Sequence, residues 1–268
     1  MYRKLLLLLV TLTFAACSAP VEDAVEETAP PTEEQIVASA KQIHDNILTI
    51  DTHVDIPLNF ATEEVDPGVR GDQKVDLPKM KEGGMDAVFF VTYTGQTKRT
   101  PENYAKAKED VKVKIDAIHR MADEMYPDQI ELAYTPDDVE RIHASGKLVA
   151  LIGIENGYAI GKDLSLLEKY YGMGARYMTL THGGHNDIAD SSSAREELGD
   201  VETEHNGVSE FGKEVIAEMN RLGMLVDVSH VSKKSMLDGL VAPRNLACTS
   251  VARGIASTSN PKSCLMIP

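Results

Sequence analysis

Ile50-Asp51-Thr52-His53-Val54-Asp55-Ile56-Pro57 reads as the end of a buried β-strand, because the apolar residues Ile47, Leu48 and Ile50 give way to a histidine and an aspartate two positions apart, with a proline just beyond. Residues i and i+2 of a strand point to the same face. His53 and Asp55 can therefore present an imidazole nitrogen and a carboxylate oxygen to one point, a donor pair that suits a zinc ion. A strand-end pair held by a turn is the ordinary alternative, and the rest of the chain decides between them.

Working outward, the run Ala87-Val88-Phe89-Phe90-Val91 is apolar without alternation. Strands of a parallel sheet, covered on both faces, read this way. A strand is expected over residues 87–94, a third over 148–154 delivering Glu155, a fourth over 175–181 delivering His182, and a fifth over 224–228 delivering Ser229 and His230. Helical periodicity lies between them, at residues 33–46, 101–125, 135–145 and 207–222. Thr135 followed by Pro136 opens one of these as a capped start, and Gly146 ends it. Repeated β-α units imply an α/β fold with a parallel sheet. Polar groups at the carboxyl ends of several strands imply a (β/α)8 TIM-type barrel, of which about six units are present. A doubly wound sheet is the rival, but no G-x-G-x-x-G follows the first strand.

Taken singly, the polar residues have ordinary readings. Glu155 follows an apolar strand, where a carboxylate is costly unless it is paired, caps a helix or binds metal. His182, in Leu180-Thr181-His182-Gly183-Gly184-His185-Asn186, reads as a solvated loop residue. His230 closes Leu225-Val226-Asp227-Val228-Ser229 at a strand end. Together His53, Asp55, Glu155 and His230 supply two imidazoles and two carboxylates at one rim. One zinc ion needs about four ligands, and a glutamate can bridge two ions.

Lys and Arg total 27 against 42 Asp and Glu, for a formal charge of −15. Nucleic acid is repelled by such a balance, so no nucleic-acid partner is expected. At 268 residues and 43% hydrophobic, the chain can bury a sizeable core. Arg3 and Lys4 precede an apolar run that ends in Phe14-Ala15-Ala16-Cys17. That run is too short to span a bilayer. Residues 1–16 read as a secretory signal resembling a bacterial lipobox, with an uncleaved anchor as the alternative. Cleavage leaves Cys17 as the lipid-bearing N-terminus. Residues 17–32 read as a disordered tether, 33–256 as the barrel domain and 257–268 as a separate tail. The expected location is the bacterial cell envelope, lipid-anchored on the periplasmic side, and Ser18 after the cysteine resembles outer-membrane sorting. No Cys-x-x-Cys pair supports a thiolate site.

Over residues 35–243 the sequence resembles the membrane dipeptidase (renal dipeptidase) family of zinc metallopeptidases. The matching runs are Asp51 to Pro57, Gly174-Ala175-Arg176-Tyr177-Met178-Thr179-Leu180-Thr181-His182, Gly207-Val208-Ser209-Glu210-Phe211-Gly212, and Met219 through Met224 on to Asp227-Val228-Ser229-His230-Val231-Ser232. The resemblance implies a barrel holding two zinc ions, with His53 and Asp55 on the first, Glu155 bridging and His230 on the second. His182 matches the histidine that contacts substrate and steadies the tetrahedral intermediate. The implied reaction is hydrolysis of a dipeptide by a hydroxide activated between two zinc ions. A homodimer is implied by the same resemblance. Thr249, in Cys248-Thr249-Ser250-Val251-Ala252-Arg253, stands where the family carries a further histidine ligand. Past Ala256 the family pattern stops, and with it the late aspartate beside the metals, so a C-terminally truncated copy with a weak second zinc is expected. Another amidohydrolase-type metal hydrolase, or a non-catalytic solute-binding or structural lipoprotein, are the competing functions.

Overall fold

The computed structural model describes residues 30–241 and the strand Ala247–Cys248. Cys17, the signal segment, most of the tether, Thr249 and the tail over 257–268 lie outside the described residues.

Among the described residues, seven strands make one sheet: β1 (Ile50–Asp55), β2 (Ala87–Tyr93), β3 (Ile130–Leu132), β4 (Leu148–Glu155), β5 (Ala175–Thr179), β6 (Leu225–Asp227) and β7 (Ala247–Cys248). Every pairing is parallel. The order is β1-β2-β4-β5-β6-β7, with β3 beside the start of β4. Residues alternating along the strands face inward, and Phe89 of β2 meets Tyr177 of β5 with ring centroids 5.2 Å apart. The Tyr177 hydroxyl continues across to β1, where it donates to the Thr52 carbonyl at 3.2 Å. A flat sheet could not bring its fourth path strand onto its first. The sheet is therefore curled, as in a TIM-type barrel, and the expected fold class holds. Among the described residues no pairing joins β7 back to β1.

The outer face is covered by helices. These are α2 (Leu77–Gly83), α3 (Pro101–His119), α4 (Pro136–Ala144), α5 (Ser165–Gly172), α6 (Glu210–Leu222) and α7 (Lys233–Val241); the first helix, α1 (Glu33–His44), belongs chiefly to a separate unit that ends at Lys41. Val111, Ile115 and Ile118 of α3 are buried in one cluster with Val88 and Phe90 of β2 and Ile152 of β4. Each such side chain is worth about 1.5–3 kcal/mol of burial. α1 has no buried residue, and its Ile36, Val37 and Ile43 are exposed.

The sequence reading named no helix at α2, α5 or α7, and it differs from the structure at several boundaries. The 207–222 helix begins only at Glu210, because Ser209 caps it by accepting from the Gly212 N–H while Gly207, at φ 120, belongs to the preceding turn. α3 gives way at Arg120 to a π-helical turn, Arg120–Met125, rather than running on as α-helix. β3 was not anticipated. Its three residues are too few to set a period.

Candidate metal centre

β1 is not a regular strand. Its pairing with β2 steps from Asp51↔Val88 to Val54↔Phe90, so three residues advance against two. That bulge lies at Thr52 and His53 and re-aims the strand end. The Asp51 carboxylate pins it by accepting from the His53 backbone N–H at 2.9 Å. His53 Nε2 comes to 3.7 Å from Asp55 Oδ1 and 3.4 Å from Glu155 Oε2.

Glu155 is the last residue of β4, on the inward face beside its β2 partner Tyr93. Its side chain is only 5% exposed, whereas that of Asp55 is 59% exposed. The two oxygens of this buried carboxylate face opposite ways. Oε2 meets His53, while Oε1 lies 3.0 Å from His230 Nε2 and 3.8 Å from His182 Nε2. Two donor trios result, His53–Asp55–Glu155 and Glu155–His182–His230, each with its ligand atoms within 4.8 Å of one another. A carboxylate with one oxygen in each trio has the disposition of a bridge. With no more than three protein donors near either position, the arrangement matches a catalytic metal site rather than a closed structural one.

The histidines beyond β5 and β6 are held by the loop between them. The Ser191 hydroxyl shares its one proton between the carbonyls of His182 and His230, at 2.5 and 3.1 Å, and Ser192 N–H donates to His230 O at 2.8 Å. His230 itself sits at φ 62 and Asn156, directly after Glu155, at φ 82. Left-handed backbone at non-glycine residues is uncommon and concentrates at functional sites. Asn156 is fully buried and ties strand ends together, donating to Thr94 O and Gln96 Oε1 and accepting from Tyr158 N–H and Asn186 Nδ2. The rings of Tyr93, His182 and His230 form a row, with successive centroids 4.7 and 4.5 Å apart.

Charge shapes the site further. Burial alone would depress the His53 imidazolium, but the hydrogen bonds and charges of Asp55 and Glu155 outweigh it and push it up to about 10. Without a cation the proton on His53 therefore balances the acids: this pairing stabilises the fold fully below the ordinary histidine value and is lost as pH rises through about 10. Burial holds His182 below the ordinary histidine value, against the pull of Glu155. Lys114 of α3 is also depressed by burial, and its Nζ donates to the Tyr93 carbonyl at 2.9 Å behind the site.

All five residues expected from the sequence, His53, Asp55, Glu155, His182 and His230, converge here, and His182 stands within the second trio. Tyr93, Tyr177, Ser191 and Lys114 were not anticipated. Tyr93 had a signal: it continues the inward series Phe89, Val91 to the strand end. Ser191 had none.

A parallel sheet curled as in a TIM-type barrel, with imidazoles and carboxylates gathered at the carboxyl ends of its strands, places this candidate metal centre where barrel enzymes keep their sites. The chain belongs to the membrane dipeptidase family, peptidase family M19, whose sequence profile matches residues 37–267. That match runs on past Ala256. Among curated proteins the chain is similar to dipeptidase tcpJ of Claviceps purpurea, 36% identical over 62% of this chain and 38% of that protein. It is also similar to dipeptidase aclJ of Aspergillus oryzae, 37% identical over 59% and 37% respectively. The aligned region thus spans well under half of these relatives. Among solved structures, the probable dipeptidase PvdM from Pseudomonas aeruginosa superposes with a TM-score of 0.77 at 27% identity, covering 82% of this chain and 56% of that one. A metallo peptidase from Rhodobacter sphaeroides shares the fold, with a TM-score of 0.61 at 23% identity over 73% of this chain and 62% of its own.

Proposed function

We propose that this chain is a zinc-dependent dipeptidase using two cation positions, the first held by His53, Asp55 and Glu155, the second by Glu155 and His230 with His182 beside it. The observation that carries this reading is the split Glu155 carboxylate, one oxygen in each donor trio. When bound, a pair of zinc ions polarises a carbonyl and makes water nucleophilic near neutral pH. The protein's part is to fix the donors: the β1 bulge aims His53, β4 buries Glu155, and the Ser191 hydroxyl holds the two loop histidines. His182, against the Tyr93 ring and half-buried, is suited to touch a substrate's developing oxyanion. Family membership and the curated dipeptidase relatives support a dipeptide as substrate. A solute-binding role gives no reason for two imidazole–carboxylate trios sharing one buried acid.

Zinc content and dipeptide hydrolysis, measured together on the purified chain, test the reading. His53→Ala is expected to reduce zinc content more than His182→Ala, because the first residue is a ligand and the second chiefly a substrate contact. Equal zinc loss in the two variants would mean that these roles are misassigned.

The proposal extends to location: a chain lipidated at Cys17 and held on the cell envelope. Cys17→Ser is expected to move the protein from the membrane to the soluble fraction. An unchanged fractionation would overturn the lipid anchor.

A further inference from the structure

Tyr177 lies in the interior of the curled sheet. Its ring occupies space that only a glycine on β4 leaves open. A Cβ built on Gly153 would fall 2.2 Å from the Tyr177 Cζ. The ring also packs on Phe89, and the residue is 5% exposed. Held on both sides, the hydroxyl is delivered to one point, the bulge of β1, where it lies 3.2 Å from Thr52 O and 3.1 Å from His53 Nδ1.

The hydrogen bond to Thr52 gives both contacts a direction. A carbonyl oxygen can only accept, so the single phenolic proton goes to Thr52. Towards His53 the phenolic oxygen is then an acceptor, and Nδ1 must carry hydrogen. In the neutral imidazole this leaves the lone pair on Nε2, the atom that faces Asp55 and Glu155. We propose that Tyr177 is a positioning residue that fixes the Nδ1–H tautomer and the ring orientation of His53, so that Nε2 is presented to the first cation position. The proposal rests on the metal reading of that site. Backbone and side chain cooperate in it: the bulge that re-aims His53 also turns the Thr52 carbonyl to the phenol, and Gly153 admits the ring that meets both.

Tyr177→Phe keeps the ring and removes only the hydroxyl, so the packing against Gly153 and Phe89 survives. Two measurements on the full chain test the assignment. Zinc affinity is read by competition with a chromophoric chelator, and the protonated ring nitrogen of His53 is read from 15N shifts of histidine-labelled, zinc-loaded protein, with His53→Gln identifying the resonance. The expected results are Nδ1–H in the parent, and in Tyr177→Phe a loss of zinc affinity of about 10–100-fold at the tighter position, the usual effect of removing a ligand's hydrogen-bond partner. An unchanged zinc affinity in Tyr177→Phe would overturn the role of Tyr177 while leaving the metal site standing. A parent chain that takes up no zinc would overturn the metal reading and this assignment with it.

Discussion

Replacing Glu155 by glutamine is expected to remove both cation positions at once and to slow dipeptide hydrolysis by at least about 10³-fold, or some 4 kcal/mol of transition-state stabilisation. The substitution is isosteric, so β4 keeps its packing. It nevertheless changes each side of the side chain differently from any other variant. One carboxylate oxygen serves His53 and Asp55, the other serves His182 and His230. An amide carries no charge, and one of its two heads is an NH2 group with no lone pair to offer a metal. Whichever way the amide turns, one trio loses its carboxylate ligand outright and the other keeps only a neutral oxygen. His230→Ala, in contrast, touches one trio alone. Zinc stoichiometry by mass spectrometry, alongside kcat/KM for a simple dipeptide, separates these cases. A Glu155→Gln protein with the parent's zinc content would rule out the shared carboxylate.

The second large effect concerns stability. Asp190 is 2% exposed, and its carboxylate accepts from the backbone N–H groups of Glu204 and His205 at 3.1 and 2.9 Å through Oδ1 and of Gly207 at 3.1 Å through Oδ2. Its own carbonyl takes hydrogen bonds from Ser232 N–H and the Ser235 hydroxyl at the start of α7. Asp190→Ala leaves three backbone donors without their acceptor in a closed loop. The Gly207 donor is buried, at a cost of about 1–3 kcal/mol when unsatisfied, whereas the part-buried Glu204 and His205 donors can turn to water, so a loss of about 2–4 kcal/mol is expected. Urea titration of the metal-free parent and variant measures it. Burial pushes the Asp190 carboxyl up, but the three backbone donors outweigh burial and hold it below the ordinary carboxylate value. A depressed carboxylate contributes stability that is present above its unfolded value, near 3.9, and is lost as pH falls through the lower folded value. The gap between parent and variant is therefore expected to stay constant above about pH 5 and to narrow below about pH 4. A gap under about 1 kcal/mol at neutral pH would show that the loop is held by other means.

What the sequence revealed follows from the range over which each feature is encoded. His53 and Asp55 were legible because a strand's period of two brings them together within three residues, and Glu155 because a carboxylate directly after seven apolar strand residues demands a partner. The order of β-α units sufficed for the barrel. The loop that gathers the two distal histidines was not legible. Ser191 reaches His230 across 39 positions, and a serine among three serines carries no mark of that contact. Tyr177 could be assigned to an inward face, but its hydroxyl acts only because Gly153, on a neighbouring strand, lacks a side chain. Such complementarity between distant positions has no local pattern.

The two donor trios differ in how their geometry is maintained. His53, Asp55 and Glu155 belong to β1 and β4, whose shape is set by the sheet. His182 and His230 lie beyond their strands, brought together by one serine hydroxyl in a connection that runs from the end of β5 to the start of α6. The strand-borne half is preorganised, whereas the loop-borne half has its ligand geometry only in the fraction of molecules whose loop is closed. An occupant of the second position sees its intrinsic affinity multiplied by that closed fraction, and in binding it raises the fraction in turn. Occupancy and loop order are thus one linked equilibrium. The two positions are expected to fill in sequence, the sheet before the loop.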